Sequence, residues 1–254
     1  MSIRNLFKQI SVDIWNQIHF TNTYKLNFGE VTITDNMVYQ IWKYAKDTGI
    51  TNIIIHHAKD EKSNGSDLLY FLEIEPGIYI QFAIQAKKLK IDCKESRYTA
   101  MSHLVNSTKK PQIDILLEYG KCEKAIPMYM LYNYSEHPKF AKREYYGCSL
   151  ISANFVKAKF SLPITKCKHP TFDDLHIKKI KKDMVAIPFY WLSSSNIKCL
   201  LDKYRIKYST LDENEKCKII SKFTHMTKAN FLNSNNHEIG FYPNYIIVQG
   251  IDKQ

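Results

Sequence analysis

The sequence predicts a mixed α/β protein, with a central mixed sheet flanked by helices in the order α-β-β-β-α-β and an α+β elaboration after it. Three observations carry that expectation. Apolar residues recur at helical spacing early in the chain. Short runs rich in β-branched and aromatic residues then follow at Asn52 to His56, on both sides of Glu75-Pro76-Gly77, and at Ala125 to Tyr132. A helical stretch from Pro111 to Tyr119 separates the third run from the fourth, so the fourth strand returns by a crossover and the sheet is mixed.

In order, Ile3, Leu6, Phe7, Ile10, Ile14, Trp15 and Ile18 predict an amphipathic helix packed on the body. Asp13 and Asn16 give its polar face little basic character, which argues against a membrane-surface helix. Thr34 is the expected N-cap of a helix from Asp35 to about Asp47, with Val38, Ile41, Trp42 and Ala45 buried and Gly49 as its stop. The strand at 52–56 and a polar stretch at 58–66 lead into a hairpin. A charged connection follows, then helices over 98–106 and 111–119, the second with Pro111 at its first position. Residues 144–159, 196–204 and 213–225 are expected to be helical. His176 to Asp183 reads as a basic helical turn or loop, Val185 to Leu192 as a strand interrupted by Pro188, and Tyr245 to Gln249 as the last strand. No repeat or linker interrupts the chain. One domain is expected over 1–254, made of an N-terminal helix (1–28), a core (29–135) and a C-terminal elaboration (136–254).

Composition narrows the class. With 254 residues and 44% apolar content the chain can bury a sizeable core without staples. Its net charge of +11 favours a polyanionic partner, or else reflects a lysine-rich composition. Six scattered cysteines without a C-x-x-C pair fit reduced thiols, and no apolar run is long enough to span a bilayer. A cytoplasmic protein with no membrane partner is the expectation.

The hairpin from Gly65 to Lys87 gathers polar groups at the end away from its turn. With a three-residue loop at Glu75 to Gly77, Ile74 faces Ile78 and Asp67 lies opposite Gln85. Opposed residues share a face, and Lys87, two residues further on, points the same way. A tighter Pro76-Gly77 loop slips this register by one unless a bulge restores it. A carboxylate, an amide oxygen and a lysine together suit phosphodiester hydrolysis. Asp67 can coordinate Mg²⁺ or Mn²⁺, Gln85 can be a neutral oxygen ligand, and Lys87 can orient or deprotonate water. One carboxylate is a thin shell for a divalent ion, so a second acid is expected, with Glu30 and Glu61 as candidates. The alternative is an ordinary solvated hairpin end.

The strand order and the motif Asp67…Gln85-Ala86-Lys87 resemble the PD-(D/E)XK, restriction-endonuclease-like nuclease superfamily, in the D…QxK variant of Mrr-type restriction enzymes. Glu61…Gly65-Ser66-Asp67, Gln85-Ala86-Lys87-Lys88-Leu89 and Gln112-Ile113-Asp114-Ile115-Leu116-Leu117 resemble, more narrowly, a bacterial family of uncharacterised function assigned to that superfamily. The likeness covers about residues 30 to 192. It implies that Asp67 is the metal carboxylate, Gln85 the second-strand ligand and Lys87 the catalytic lysine. Glu30 matches the acid of the first core helix. The chain departs from the pattern in lacking Pro before Asp67 and in carrying Ser66 where Ala is common. The implied function is a Mg²⁺- or Mn²⁺-dependent endonuclease acting on DNA in preference to RNA, with a role in restriction or anti-phage defence by analogy. A double-strand cut generally needs two active sites, which makes a homodimer one expectation. The competing reading is a nucleic-acid-binding or regulatory module on the same fold without catalysis.

Lys88 and the cluster Lys178, Lys179, Lys181 and Lys182 are candidate phosphate-backbone contacts, with a solvated lysine face as the alternative. Cys167-Lys168-His169 with His176 supplies at most half a zinc set. Of His56 and His57, neighbours on a strand, at most one can face the site. Phe189-Tyr190-Trp191 reads as core. The absence of a P-loop, a dinucleotide glycine fingerprint or G-x-S-x-G argues against those enzyme classes.

Overall fold

A computed structural model of the chain describes residues 2–57, 67–91, 96–102, 104, 110–160, 169–177, 185–194, 196–224 and 243–251. Helix α1 (Ile3–Thr23) starts at Ser2, whose hydroxyl accepts the Asn5 N–H at 3.3 Å. Ile3, Leu6, Phe7, Ile10, Ile14 and Ile18 form its buried stripe, as the spacing requires. Helix α2 (Glu30–Thr48) begins earlier than expected, with Gly29 as N-cap, and ends at Gly49. Thr34 is therefore not the N-cap but a buried helical residue. Its Oγ1 bonds back to the Glu30 carbonyl (3.0 Å) and to the Tyr132 hydroxyl (2.7 Å), so the side chain is satisfied without ending the helix. Trp42, expected in the buried stripe, is 47% exposed, with the Lys46 ammonium 5.1 Å from its ring centroid. Ile33, Met37 and Tyr44 join Val38 and Ile41 on the inward face instead.

Eight described strands build one mixed sheet. They are β1 (Ile53–His57), β2 (Asp67–Glu75), β3 (Ile78–Lys88), β4 (Ile126–Tyr132), β5 (Cys148–Ser152), β6 (Ile187–Pro188), β7 (Thr210–Asp212) and β8 (Tyr245–Gln249). Their order is β1-β8-β2-β3-β4-β5-β6, and β7 pairs with the turn end of β3. Helix α3 (Gln112–Cys122) carries the crossover from β3 to the parallel β4, as expected, with Pro111 as its N-cap and not its first residue. The first three strands are not consecutive neighbours in the sheet. β8 enters between β1 and β2, antiparallel to one and parallel to the other, so a strand assigned to the elaboration lies inside the sheet. Its Ile246, Ile247 and Val248 are all buried, which an interior strand covered on both faces requires.

The hairpin turn is tighter than a three-residue loop. Glu75 pairs with Ile78, leaving Pro76 and Gly77, the latter with φ of 73°. Proline presets the first loop position and glycine supplies the positive φ at the second. A bulge between Glu73 and Glu75 absorbs the odd residue and restores the pairing of Asp67 with Gln85. Glu73 Oε1 steadies the bend by accepting the Gly77 N–H at 2.8 Å.

Both faces of the hairpin are covered. Leu68, Tyr70, Leu72, Ile80, Phe82 and Ile84 pack with α1 and α2, whereas Leu69, Phe71, Tyr79 and Ala83 pack with α3 on the other side. The expected helix at 144–159 resolves into α4 (Arg143–Tyr146), the fully buried strand β5 and α5 (Ala153–Phe160). The expected helix at 98–106 is not found among the described residues: Thr99–Ser102 form a 3-10 turn and Leu104 makes an isolated bridge to Pro111. Helix α6 (Phe172–His176) is closed by a capping box on Thr171. β6 passes into a 3-10 turn (Phe189–Ser193), where Phe189 stacks on Phe7 with centroids 4.4 Å apart. Helices α7 (Ile197–Lys203) and α8 (Glu213–Thr224) lie where expected. No described helix is long and apolar enough to cross a membrane.

Candidate active site

The site is built at the carboxyl end of β3. The pleat sends Gln85 and Lys87 to the α3 face, in line with Gln81 and Ala83. The backbone of Asp67, first residue of β2, pairs with that of Gln85, while Tyr129 of β4 flanks Gln85 on the other side. Gln85 is 2% exposed, and its Oε1, like that of Gln81 on the same strand face, has no hydrogen-bond partner among the described residues. A buried amide oxygen left unpaired costs about 1–3 kcal/mol, so its retention calls for a reason. Oxygen ligation of a hard cation would supply one.

Lys87 is 4% exposed, and its Nζ donates to Gln112 Oε1 at 2.8 Å. Gln112 is the first residue of α3, and Ile113, Leu116 and Tyr119 anchor that helix in the core below. The crossover helix thus aims the acceptor that holds the lysine. Further along the same strand face, Gln81 is fully buried and its amide donates to the Tyr119 hydroxyl at 3.0 Å.

Glu30 approaches from the other layer. It opens α2, and its Oε1 accepts the backbone N–H of Lys88 at 2.8 Å, one residue past Lys87. The Lys88 ammonium donates to the Phe28 carbonyl at 2.6 Å. Burial lowers the Lys88 pKa, and the Glu30 carboxylate partly opposes that shift. Glu30, Lys88 and Lys90 line an open cleft of about 470 Å³ with Asn22, Phe28 and Thr99. A carboxylate has about four acceptor sites, so the bond to Lys88 leaves Glu30 capacity for a second partner.

The structure therefore brings Gln85, Lys87 and Gln112 together, pairs Asp67 with Gln85 along the backbone, and ties Glu30 to the next residue of the strand. Glu61 and Lys178, Lys179, Lys181 and Lys182 lie outside the described residues, as do Cys167 and Lys168. His176 is buried in a polar network with Ser149 and Asn133. Among the described residues, no group of three or more His, Cys, Asp or Glu is placed to hold a metal ion. Gln112 carries no local signal of its role, because its contact with Lys87 spans a crossover.

A family model described as a family of unknown function, DUF6615, matches residues 3–230. The chain belongs to that family. The match begins with α1 and runs past α8, so the N-terminal helix is part of the DUF6615 unit and not an appendage to it. No curated protein and no solved structure matches the chain.

Proposed function

We propose that this DUF6615 protein is a metal-dependent nuclease that hydrolyses nucleic-acid phosphodiester bonds, on a restriction-endonuclease-like core of the D…QxK type. The observation that carries the reading is the buried Oε1 of Gln85, without a hydrogen-bond partner among the described residues, at the register position facing Asp67 and two residues from a buried lysine. Asp67 and Gln85 would hold Mg²⁺ or Mn²⁺, with Glu30 or Glu61 as the second acid. A bound cation supplies Lewis acidity towards the scissile phosphate and its attacking water.

The chain's own residues do the rest. Gln112 fixes the direction of the Lys87 ammonium, which then offsets charge on the phosphate and orients the water. Glu30, bonded to the Lys88 N–H, holds the strand end in place. A non-cleaving nucleic-acid-binding module is the second reading. It is favoured by the neutral Gln85 and by the engagement of the Glu30 carboxylate with the backbone.

The test is cleavage of plasmid, single-stranded DNA and RNA with Mg²⁺ or Mn²⁺ and with EDTA. Asp67→Ala and Lys87→Met should each lower the rate by about a hundredfold or more while leaving the circular dichroism spectrum intact. Metal-dependent cleavage that survives in both variants removes the site assignment. Binding without cleavage by the wild type selects the module.

A further inference from the structure

A second pocket lies at the same end of the sheet. β3 and β4 are parallel, so the segment after β4 emerges beside the end of β3 that carries Lys87 and Lys88. That segment forms a pocket of about 330 Å³ against α1, lined by Trp15, Asn16, His19, Tyr134, Glu136 and Arg143 among others. Carboxyl ends of parallel strands are where open α/β sheets bind ligands.

Its chemistry has two poles. One is aromatic: His19 stacks on Tyr134 with centroids 4.7 Å apart, and Trp15 packs edge-on to Tyr134 at 5.3 Å. Trp15 is buried, Tyr134 half-buried and His19 exposed, so a flat ligand meets a rigid base with an open rim. The other pole is the exposed Arg143 guanidinium, oriented by a bond from Nη1 to Asn16 Oδ1 at 2.9 Å. A planar group that carries an anion fits both poles. The Glu136 carboxylate, 3.4 Å from the Tyr134 hydroxyl, discourages an anion on its side and accepts N–H donors.

The pocket and the cleft at Lys88 both border helix α1. Asn16 and His19 line the pocket and Asn22 lines the cleft, at three-residue intervals that wind slowly around α1. At 1.5 Å rise per residue Asn16 and Asn22 are about 9 Å apart along the helix axis, within reach of two or three nucleotides of one strand.

We propose that the Trp15–His19–Tyr134–Arg143 pocket binds an unpaired nucleotide, with the base against His19 and Tyr134 and a phosphate on Arg143, so that the protein engages single-stranded nucleic acid. This rests on the nuclease reading for the choice of a nucleic-acid ligand. It does not require catalysis. Duplex DNA hides its base faces and offers this pocket only phosphates.

The test is fluorescence anisotropy of a labelled single-stranded oligonucleotide and of the matching duplex, in EDTA, so that no cleavage occurs. The wild type should bind the single strand more tightly than the duplex. Tyr134→Ala and His19→Ala should each weaken single-strand binding by on the order of tenfold with little change for duplex, whereas Arg143→Gln should weaken binding of both. Thermal melts identify any variant that has lost its fold, and His19→Ala, at an exposed position, is the one least able to do so. Single-strand binding that is absent in the wild type, or unchanged in folded variants, overturns the pocket. Cleavage is scored separately with Mn²⁺. Cleavage without pocket-dependent binding leaves the nuclease reading standing alone, and pocket-dependent binding without cleavage leaves the pocket standing alone.

Discussion

At the scale of residues, polar groups buried in this protein are of two kinds. Gln85 and Gln81 each keep a side-chain oxygen without a partner among the described residues, whereas the network around Asn133 is closed. The Asn133 carbonyl oxygen accepts the Tyr98 hydroxyl, and its amide donates to the Tyr146 carbonyl (2.7 Å) and to Ser149 Oγ (3.1 Å). His176 Nδ1 lies 3.0 Å from the Phe172 carbonyl, so the neutral ring carries its proton there. Nε2, 2.8 Å from Ser149 Oγ, then accepts from the serine. Burial pushes the His176 pKa down from 6.5 to about 4, against smaller upward pulls from the Phe172 carbonyl and Asp173. A folded pKa below the unfolded one means that the unfolded chain binds the proton first. The contribution to stability is therefore complete above about pH 6.5 and lost as pH falls towards 4. Urea unfolding at neutral pH and near pH 4 should differ by on the order of 3 kcal/mol from this group. His176→Asn should be less stable at neutral pH and show a flatter pH dependence, and an equal pH slope in both proteins would refute the assignment. The network also bears on the candidate site, because Tyr98 precedes Thr99 and Ala100, which line the cleft at Lys88.

At the scale of elements, α1 is clamped to the corner between α4 and β5. A Cβ on Gly147 would lie 1.9 Å from the Ser11 carbonyl oxygen, a backbone atom that cannot step aside. Gly147→Ala should therefore destabilise the protein by about 3 kcal/mol or more, read as a shift of the urea midpoint. A near-neutral result would mean that α1 does not seat there. The same corner shows where local pattern loses its power. Cys148 to Ser152 is five buried residues between two short helices, and a brief apolar run reads equally as strand or helix. The hairpin was more legible. Pro76-Gly77 marks the turn and the alternation of faces leaves two registers. The bulge at Glu73–Glu75 then selects the one that pairs Asp67 with Gln85. Thr34 misled for a physical reason, since a hydroxyl able to cap a helix can also bond back inside one.

At the scale of the molecule, the arrangement depends on β8. It separates β1 from β2 and buries a hydrogen bond from the Tyr70 hydroxyl to Gln249 Oε1. A chain cut before residue 243 should lose cooperative thermal unfolding and express insolubly, because β1 loses its described partner and β2 gains an open edge. A truncated chain with the wild-type melt would show that β8 is dispensable. The sequence by itself determined the order of helices and strands along 3–132 apart from the stretch at 98–106, the two-sided burial of the hairpin and the two registers open to it; the bulge chose between them. Those follow from periodicity and turn chemistry, which act over a few residues. Only the tertiary structure decided that the last strand fills the gap between the first two, that Gln112 holds Lys87, and that Gln85 keeps an oxygen unpaired among the described residues. Each of these is a meeting of residues 25 or more positions apart, or the lack of one. Packing of whole elements decides such meetings, and no local pattern records them.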